Sequence, residues 1–328
     1  MGHELILTKD GKRQNITQLI GNLAWSSNVE ALGVEMSFQY AYNDTLYFNK
    51  FDILNIGDQI VMFNEGKVLN YFIIVKEGEA GRFGKSYTCF DRAWYLNKNE
   101  TIIQFKKLSA NKAIEKLLDK FIIKHKIASM PTLIRKIYKD ITVSDIILDI
   151  LTQVEQETGI KYRMEMKKDI LTISKMTDLI INPKIRLPSN TNPIPVTATI
   201  SNPSKERSIE DMKNKVIVVT SDDKSTKVYA QKDDTKSISH YGLLTEVVTL
   251  DSKNAAQARN IAANTLKELN RVNETVSCEM LGDDDIRAGR ILEMNEPITG
   301  IVGKYLIKSA SHTVNNDIHK VSVELGAV

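Results

Sequence analysis

The chain holds five histidines and two cysteines, the residue types from which a nucleophile, a proton shuttle or a soft-metal site is built. A Ser or Cys nucleophile needs a nearby imidazole as its base, so the histidines bound what chemistry is possible. His3 lies in a terminal segment, and His125 falls where a helix is expected to end, a place where a cation complements the helix dipole. His240, His312 and His319 lie in or beside strand-like runs of the last third. His312 and His319 flank the Asn315-Asn316-Asp317 turn of a hairpin and could face one another. No third ligand or acid stands at a recognisable spacing from them. They read as polar strand ends at a surface or interface, and the sequence nominates no catalytic, metal-binding or cofactor-binding residue.

Other candidate motifs fail on spacing. Asp283, Asp284 and Asp285 form the densest acidic run, but a calcium loop wants acids at alternate positions, then a glycine and a distal Glu. GDDDIRAG reads instead as a turn whose Asp side chains bond their own backbone. EGEAGRFGKS places Gly78, Gly81 and Gly84 ahead of Lys85 and Ser86, superficially like a phosphate-cradling loop. The strand-like SYTCF that follows offers no helix N-terminus to a phosphate, so a hairpin tip is expected. Basic runs such as KDGKR and LIRKIYK lack aromatics at a regular step, and specific nucleic-acid binding is not expected. Cys89 and Cys278 sit far apart in alternating runs and read as reduced core thiols.

The elements that would position these residues change character along the chain. Residues 1–104 alternate like strands, with VEMSFQY at 34–40 and further runs at 59–63 and 71–75 separated by turn signals at Asn43-Asp44 and Asn64-Glu65-Gly66. Trp25 and Trp94 are expected to fill that core. Residues 105–180 switch to helical spacing. From Ser109, a candidate N-cap, Ala110, Ile114, Leu117, Leu118 and Phe121 share a face; from Thr142, paired with Asp145 as a capping box, Ile146, Ile147, Ile150, Leu151 and Val154 form a stripe that ends at Gly159. IKYRMEM and DILTISK then flank a KKD turn, completing a compact α/β insertion.

Residues 181–328 are expected to form a second β-module with one packed helix. Five of the seven prolines, at 183, 188, 193, 195 and 203, make its start an extended connector or edge strand. KVIVV and KVYAQ are expected to pair across SDDKST, with SISHYGLLTEVVTL following. Ala255, Ala258, Ala262, Leu266 and Leu269 lie on one face of a helix whose small residues let it approach a sheet or a neighbouring subunit closely.

An internal echo runs through this order. FDILNIGDQIVMF puts Gly57 before an apolar run, and DDDIRAGRILEM puts Gly289 in the same place. A hairpin-like pair follows each: YFIIVK with KSYTCF in the first copy, YLIKSASHTV with HKVSVEL in the second. The fold class is therefore α+β, mainly β, with two related β-modules and an α/β insertion between them. The positions singled out are Gly57 and Gly289 as equivalent turns, and Tyr241-Gly242 as a packing point where the last strands begin.

Composition bounds the function class. The 328 residues carry 44 basic and 41 acidic side chains, a formal +3 that is too even to imply a nucleic-acid or membrane partner from whole-chain charge. No run of the roughly 18 apolar residues of a spanning helix occurs, and the first residues lack the pattern of a secretory signal. Synthesis and folding in a reducing cytoplasm are expected.

Taken together, NKVIVV, SISHYG, the Ala-rich helix, DIRAGRILEM, GKYLIKSASHTV leading into HKVSVEL, the Gly57-Asp58 turn, FDRAWYL and DIILDILTQVEQETGIKY resemble the baseplate hub proteins of contractile phage tails and phage-tail-like bacteriocins. Late control D proteins and the N-terminal part of the type VI secretion spike are more distantly similar. The resemblance covers nearly the whole chain. It implies two tube-like β-barrels per subunit and a homotrimeric ring that joins a hexameric tail tube protein to a trimeric central spike protein, beside other baseplate or tape-measure components. It also implies a particle component made in a bacterial cytoplasm and released from the cell; from the residues themselves, no cofactor and no enzymatic activity are expected. A tail-associated cell-wall hydrolase or a cell-wall-binding module is the alternative.

Overall fold

Alternating burial marks most of the described strands in the first ninety residues of the computed structural model, which describes residues 2–41, 53–79, 84–186, 192–222 and 224–327. The strands are β1 (His3–Lys9), β2 (Lys12–Asn15), β3 (Ile20–Asn28), β4 (Val34–Ala41), β5 (Gln59–Asn64), β6 (Lys67–Glu79) and β7 (Gly84–Asp91). In β4, Met36, Phe38 and Tyr40 point inward while the residues between them face out, the period-2 pattern of a half-buried strand. They pack with Leu5, Leu7, Ile60, Met62, Phe72, Ile74, Tyr87 and Cys89 in one core. Trp25 is buried here and Trp94 is half-buried. The turn expected at Asn43-Asp44, residue Gly81 of the glycine-rich tip and Pro188 lie outside the described residues.

Next come α1 (Trp94–Lys98), β8 (Glu100–Ser109), α2 (Ala110–Lys120), β9 (His125–Ile127), β10 (Leu133–Thr142), α3 (Val143–Thr158), β11 (Tyr162–Lys167) and β12 (Ile170–Lys175). The Thr142 hydroxyl accepts the Asp145 N–H at 3.2 Å, and Gly159 closes α3 at φ +71°. Ser109 makes no cap bond; the Ala110 N–H instead donates to the Thr132 carbonyl at 2.8 Å. Strand β8 pairs antiparallel with β10, so the basic run LIRKIYK is a strand and the expected boundary at 104 falls inside β8. His125 begins a short strand rather than ending a helix, because α2 stops at Lys120. The insertion core also takes in Leu32, Ala93 and Leu96, so its packing starts upstream of residue 105.

The remaining elements are β13 (Ile180–Ile181), β14 (Lys184–Ile185), β15 (Ile194–Pro195), β16 (Ser201–Ser208), β17 (Lys215–Thr220), β18 (Val228–Asp233), α4 (Thr235–Tyr241), β19 (Thr245–Leu250), α5 (Ala258–Leu269), β20 (Asn273–Leu281), β21 (Ile291–Glu296), β22 (Ile301–Asn315) and β23 (Ile318–Ala327). Strands β17, β18 and β19 form their own sheet, with β17 and β19 parallel, and their core holds Val216, Val218, Ala258, Ile261, Ala262 and Leu266. A separate α/β unit therefore sits within the stretch read as one β-module. Its helix α5 also reaches the insertion, where the Asn264 amide donates to the carbonyls of Gln156 and Glu157 at 3.0 and 3.1 Å and closes the C-terminus of α3.

A single large sheet joins the two β-blocks in the order β16-β20-β23-β22-β3-β4-β7-β6-β5-β1-β2, with β21 on β22 and β13 on β21. The pairings β4·β7, β7·β6 and β6·β5 in the first block match β20·β23, β23·β22 and β22·β21 in the second, all antiparallel. On the edge opposite β23, long strand β22 serves two partners in turn: residues 301–306 pair with β21, and residues 309–314 pair with β3. The change falls at the register shift between Ile307 and Ser309, where a bulge turns the strand from one block to the other. The second block has its own core, which includes Val276, Met280, Leu292, Ile307, Val321 and Val323. Among the described residues the path is open at both ends, at β16 and at β2.

Candidate functional site

Gly57 and Gly289 sit in the same local geometry. Their φ angles are +93° and +82°, in the left-handed region that glycine enters without a Cβ penalty. The Gly57 N–H donates to the Ile74 carbonyl at 2.8 Å and the Ile74 N–H returns to the Asp58 carbonyl at 3.0 Å; Gly289 to Ile307 and Ile307 to Arg290 repeat the exchange, both at 2.8 Å. The next residue closes the same turn in both, Asp58 onto Asn55 and Arg290 onto Arg287. Each glycine thus starts the strand, β5 or β21, that lies on the outer side of its hairpin.

Their surroundings differ. Among the described residues nothing comes within 4 Å of a Cβ built at Gly57, whereas the aliphatic stem of Arg163 from β11 lies across Gly289. Arg163 donates to the Val29 carbonyl at 2.9 Å, and Arg290 Nη2 donates to both Glu165 oxygens at 3.1 and 2.8 Å. These buried charges tie β11 of the insertion to both blocks. Burial lowers the Arg163 guanidinium to about 10 despite Glu165 beside it. For Glu165 burial alone would raise the carboxyl, and Arg290 with Lys167 holds it below the usual range instead. Asp91, at the end of β7, accepts the Val34 and Ala93 N–H groups at 3.0 Å, yet burial pushes its carboxyl up to about 7.

A second polar cluster lies where the two blocks meet. His312 in β22 stands opposite Trp25 in β3, and their rings stack at 4.7 Å with an interplanar angle of 4°. His312 Nδ1 lies 2.9 Å from His319 Nε2, and His312 Nε2 lies 2.7 Å from the Ile286 carbonyl. His3 reaches Asp284 at 2.8 Å, and Asn64, paired with His3 across β1 and β5, donates to the other Asp284 oxygen at 2.7 Å. The acidic loop of the second block is thus held by two strands of the first. Burial depresses His312 to about 3 and His319 to about 4, with the neighbouring imidazoles adding to each shift. Burial works against ionised Asp284, but the bonds from His3 and Asn64 hold it down at about 2.

The remaining expected positions lie elsewhere. Tyr241 ends α4 and is exposed, and Gly242 follows it at φ +84°. SISHYG is therefore a helix with its stop signal rather than the packed start of a strand, because the Asp234 carboxylate caps Lys236 and Ser237 and starts a turn of helix there. Asn214 donates to the Gly242 carbonyl at 2.7 Å, which fixes the chain before β19. Cys89 and Cys278 are free and buried, and burial pushes the Cys278 thiol up to about 11.

Two blocks of matching strand order in one sheet are the frame on which known relatives can be placed. A family model described as YQBQ-like matches residues 23–326. The chain belongs to the YqbQ-like family. Uncharacterized protein YqbQ of Bacillus subtilis (strain 168) is 26% identical over 274 residues, 82% of this chain and 81% of that protein. Among solved structures, the 43 kDa tail protein of prophage MuSo2 from Shewanella oneidensis superposes with a TM-score of 0.70 at 11% identity, covering 98% of each chain. The tail protein from Neisseria meningitidis MC58 gives 0.68 at 14% identity over 100% of this chain and 97% of that one. The E. coli c3393 protein, described as a type VI secretion component with structural similarity to T4 tail proteins gp27 and gp5, gives 0.53 at 9% identity over 93% and 73%. At such identities the likeness is one of fold. This YqbQ-like chain has the fold of phage tail proteins, in line with the resemblance drawn from its motifs.

The YqbQ-like sequence did not disclose its polar junction. His3 and Asp284 are brought together by the β3–β22 pairing, and no local spacing encodes a contact of that range. The one usable signal was the hairpin that places His312 and His319 face to face.

Proposed function

We propose that this chain is a non-enzymatic structural hub of a contractile tail or tail-like injection particle. Three copies form a ring that adapts a six-fold tail tube to a three-fold spike, and the subunit divides into a first β-block near residues 1–104, an insertion near 105–180 and a second block near 181–328. The observation that carries this reading is the repeated strand order β4-β7-β6-β5 and β20-β23-β22-β21 within one sheet. A three-membered ring of such subunits offers six similar faces, which is what a symmetry adaptor needs. The two edges that are open among the described residues also favour it: β2 and β16 present edge backbone groups that a neighbouring copy can satisfy. The tail-protein fold supports the tube and spike proteins as partners. Among the described residues no helix is long and apolar enough to cross a membrane.

Cysteines introduced at Gln14 and Glu206, on exposed β2 and β16, test the ring in purified tail particles treated with a short bis-maleimide. Closed three-subunit products are expected. A single-subunit band alone contradicts the arrangement.

A second reading, binding of an anionic cell-wall polymer by the insertion, is favoured by a cleft of about 530 Å³ whose wall carries Lys106, Lys107, Arg135 and Lys136 against the single acid Asp251. Co-sedimentation with purified cell wall, compared with Lys106→Glu/Arg135→Glu, tests it; equal retention of both proteins removes it.

A further inference from the structure

Three side chains from distant segments converge at the block junction with the donor types that a transition-metal ion takes. His3 of β1, Asp284 of the loop before β21 and His319 of β23 each offer one ligand atom, and these atoms lie within 4.8 Å of one another. They are shielded: the side chain of His3 is 4% exposed and that of Asp284 is 16% exposed. A solvated surface triad would not hold its donors in this way.

The hydrogen bonds settle which nitrogens carry protons. A carbonyl only accepts, so the 2.7 Å contact from His312 Nε2 to Ile286 places a proton on that nitrogen. In the neutral ring Nδ1 is then an acceptor, and the 2.9 Å contact with His319 Nε2 is a bond donated by His319. His319 Nδ1 is left as the ring nitrogen with a lone pair to offer, the form in which imidazole ligates metal. His312 thereby acts as the outer partner that metal-binding histidines usually have, an acceptor that fixes tautomer and ring orientation. Trp25 and the Ile286 carbonyl hold His312 in turn. On the carboxylate side, Asn64 occupies Asp284 Oδ2, and Oδ1 faces His3.

We propose that His3, Asp284 and His319 form a binding site for a divalent transition-metal cation, with Zn²⁺ the best match to two imidazoles and one carboxylate. On binding, the His3 ring carries its single proton on Nδ1 and offers the Nε2 lone pair to the ion, so Asp284 Oδ1 exchanges its hydrogen bond with His3 for a bond to the ion; water completes the coordination. Because His3 belongs to the first block and the other two ligands to the second, the ion clips the blocks together. This inference is independent of the hub reading.

The test is a titration of the chelator-treated full-length chain with Co²⁺, followed by its visible absorption, and then displacement by Zn²⁺. One equivalent per chain is expected, with a rise in Tm on adding Zn²⁺. His3→Gln and Asp284→Asn should each weaken binding at least about tenfold, and His312→Gln about 10–100-fold through the outer partner. The exposed His240, replaced as His240→Gln, should change nothing. Absence of saturable binding at one equivalent in the wild-type chain overturns the proposal whatever the variants do. Binding that survives unchanged in both His3→Gln and Asp284→Asn, with folding checked by circular dichroism, overturns it as well.

Discussion

Arg163 lies across the α-carbon of Gly289, so a methyl group built at that glycine would come within 2.6 Å of Arg163 Cδ. Arg163 has little freedom to withdraw, since it is buried and bound to the Val29 carbonyl. Among the described residues, the turn shared with Gly57 is therefore packed over in the second block only. Gly57→Ala should cost about 1–2 kcal/mol, the penalty of a left-handed residue. Gly289→Ala should cost that and roughly 1–3 kcal/mol of overpacking besides. Urea unfolding of the two variants measures the difference, and equal losses would mean that Arg163 moves aside.

Glu165 is the carboxylate partner of Arg290 in the buried junction, and their side chains are 10% and 9% exposed. Glu165→Gln removes the carboxylate that Arg290 and Lys167 share and leaves Arg163 with Asp91 as its nearby acid. A loss of about 3–5 kcal/mol is expected, the usual result of removing one member of a buried pair. Limited proteolysis should then cut first between the insertion and the β-blocks, because β11 is the strand these charges anchor.

The histidine junction gives a pH dependence of definite sign. His312 and His319 titrate at about 3 and about 4 in the folded chain, against about 6.5 when unfolded. Between those limits the unfolded chain binds more protons, so their contribution is present above about pH 6.5 and is lost as pH falls through the folded values. Asp91 acts in the opposite sense: its folded value of about 7 is raised, so its contribution is present at low pH and lost as pH rises through 7. His3, Asp284 and Arg287 also face the imidazoles, so the informative quantity is a difference between proteins. With chelator present, wild type should lose more stability than His319→Gln on going from about pH 6.5 to 4.5. Parallel curves would show that His319 titrates as an exposed imidazole does.

Much of the scaffold was legible because it is local. Period-2 alternation marked β4 and β7, the Thr142–Asp145 pair and Gly159 bracketed α3, and the Gly57 and Gly289 turns stood before matching strand runs. What escaped was set by tertiary packing. Strand β10 exposes Leu133 and Ile137 while it buries Ile134 and Tyr138, so it lacks the one-sided pattern that identifies a half-buried strand. Residues 215–269 fold on a sheet of their own, with a parallel pair that no hairpin signal announces. The charged ties among Arg163, Glu165 and Arg290 join strands far apart in the chain, as does the meeting of His3 with Asp284. Polar residues in such runs look like solvated faces until the partner strand is known.

An electron cryomicroscopy reconstruction of the hub region in intact particles decides whether the two sheet ends that are open among the described residues close onto neighbouring copies. Three copies around one axis are expected, with β2 of each subunit against β16 of the next and six similar β-blocks facing the tube. A different copy number, or a ring in which both edge strands face solvent, would contradict that arrangement.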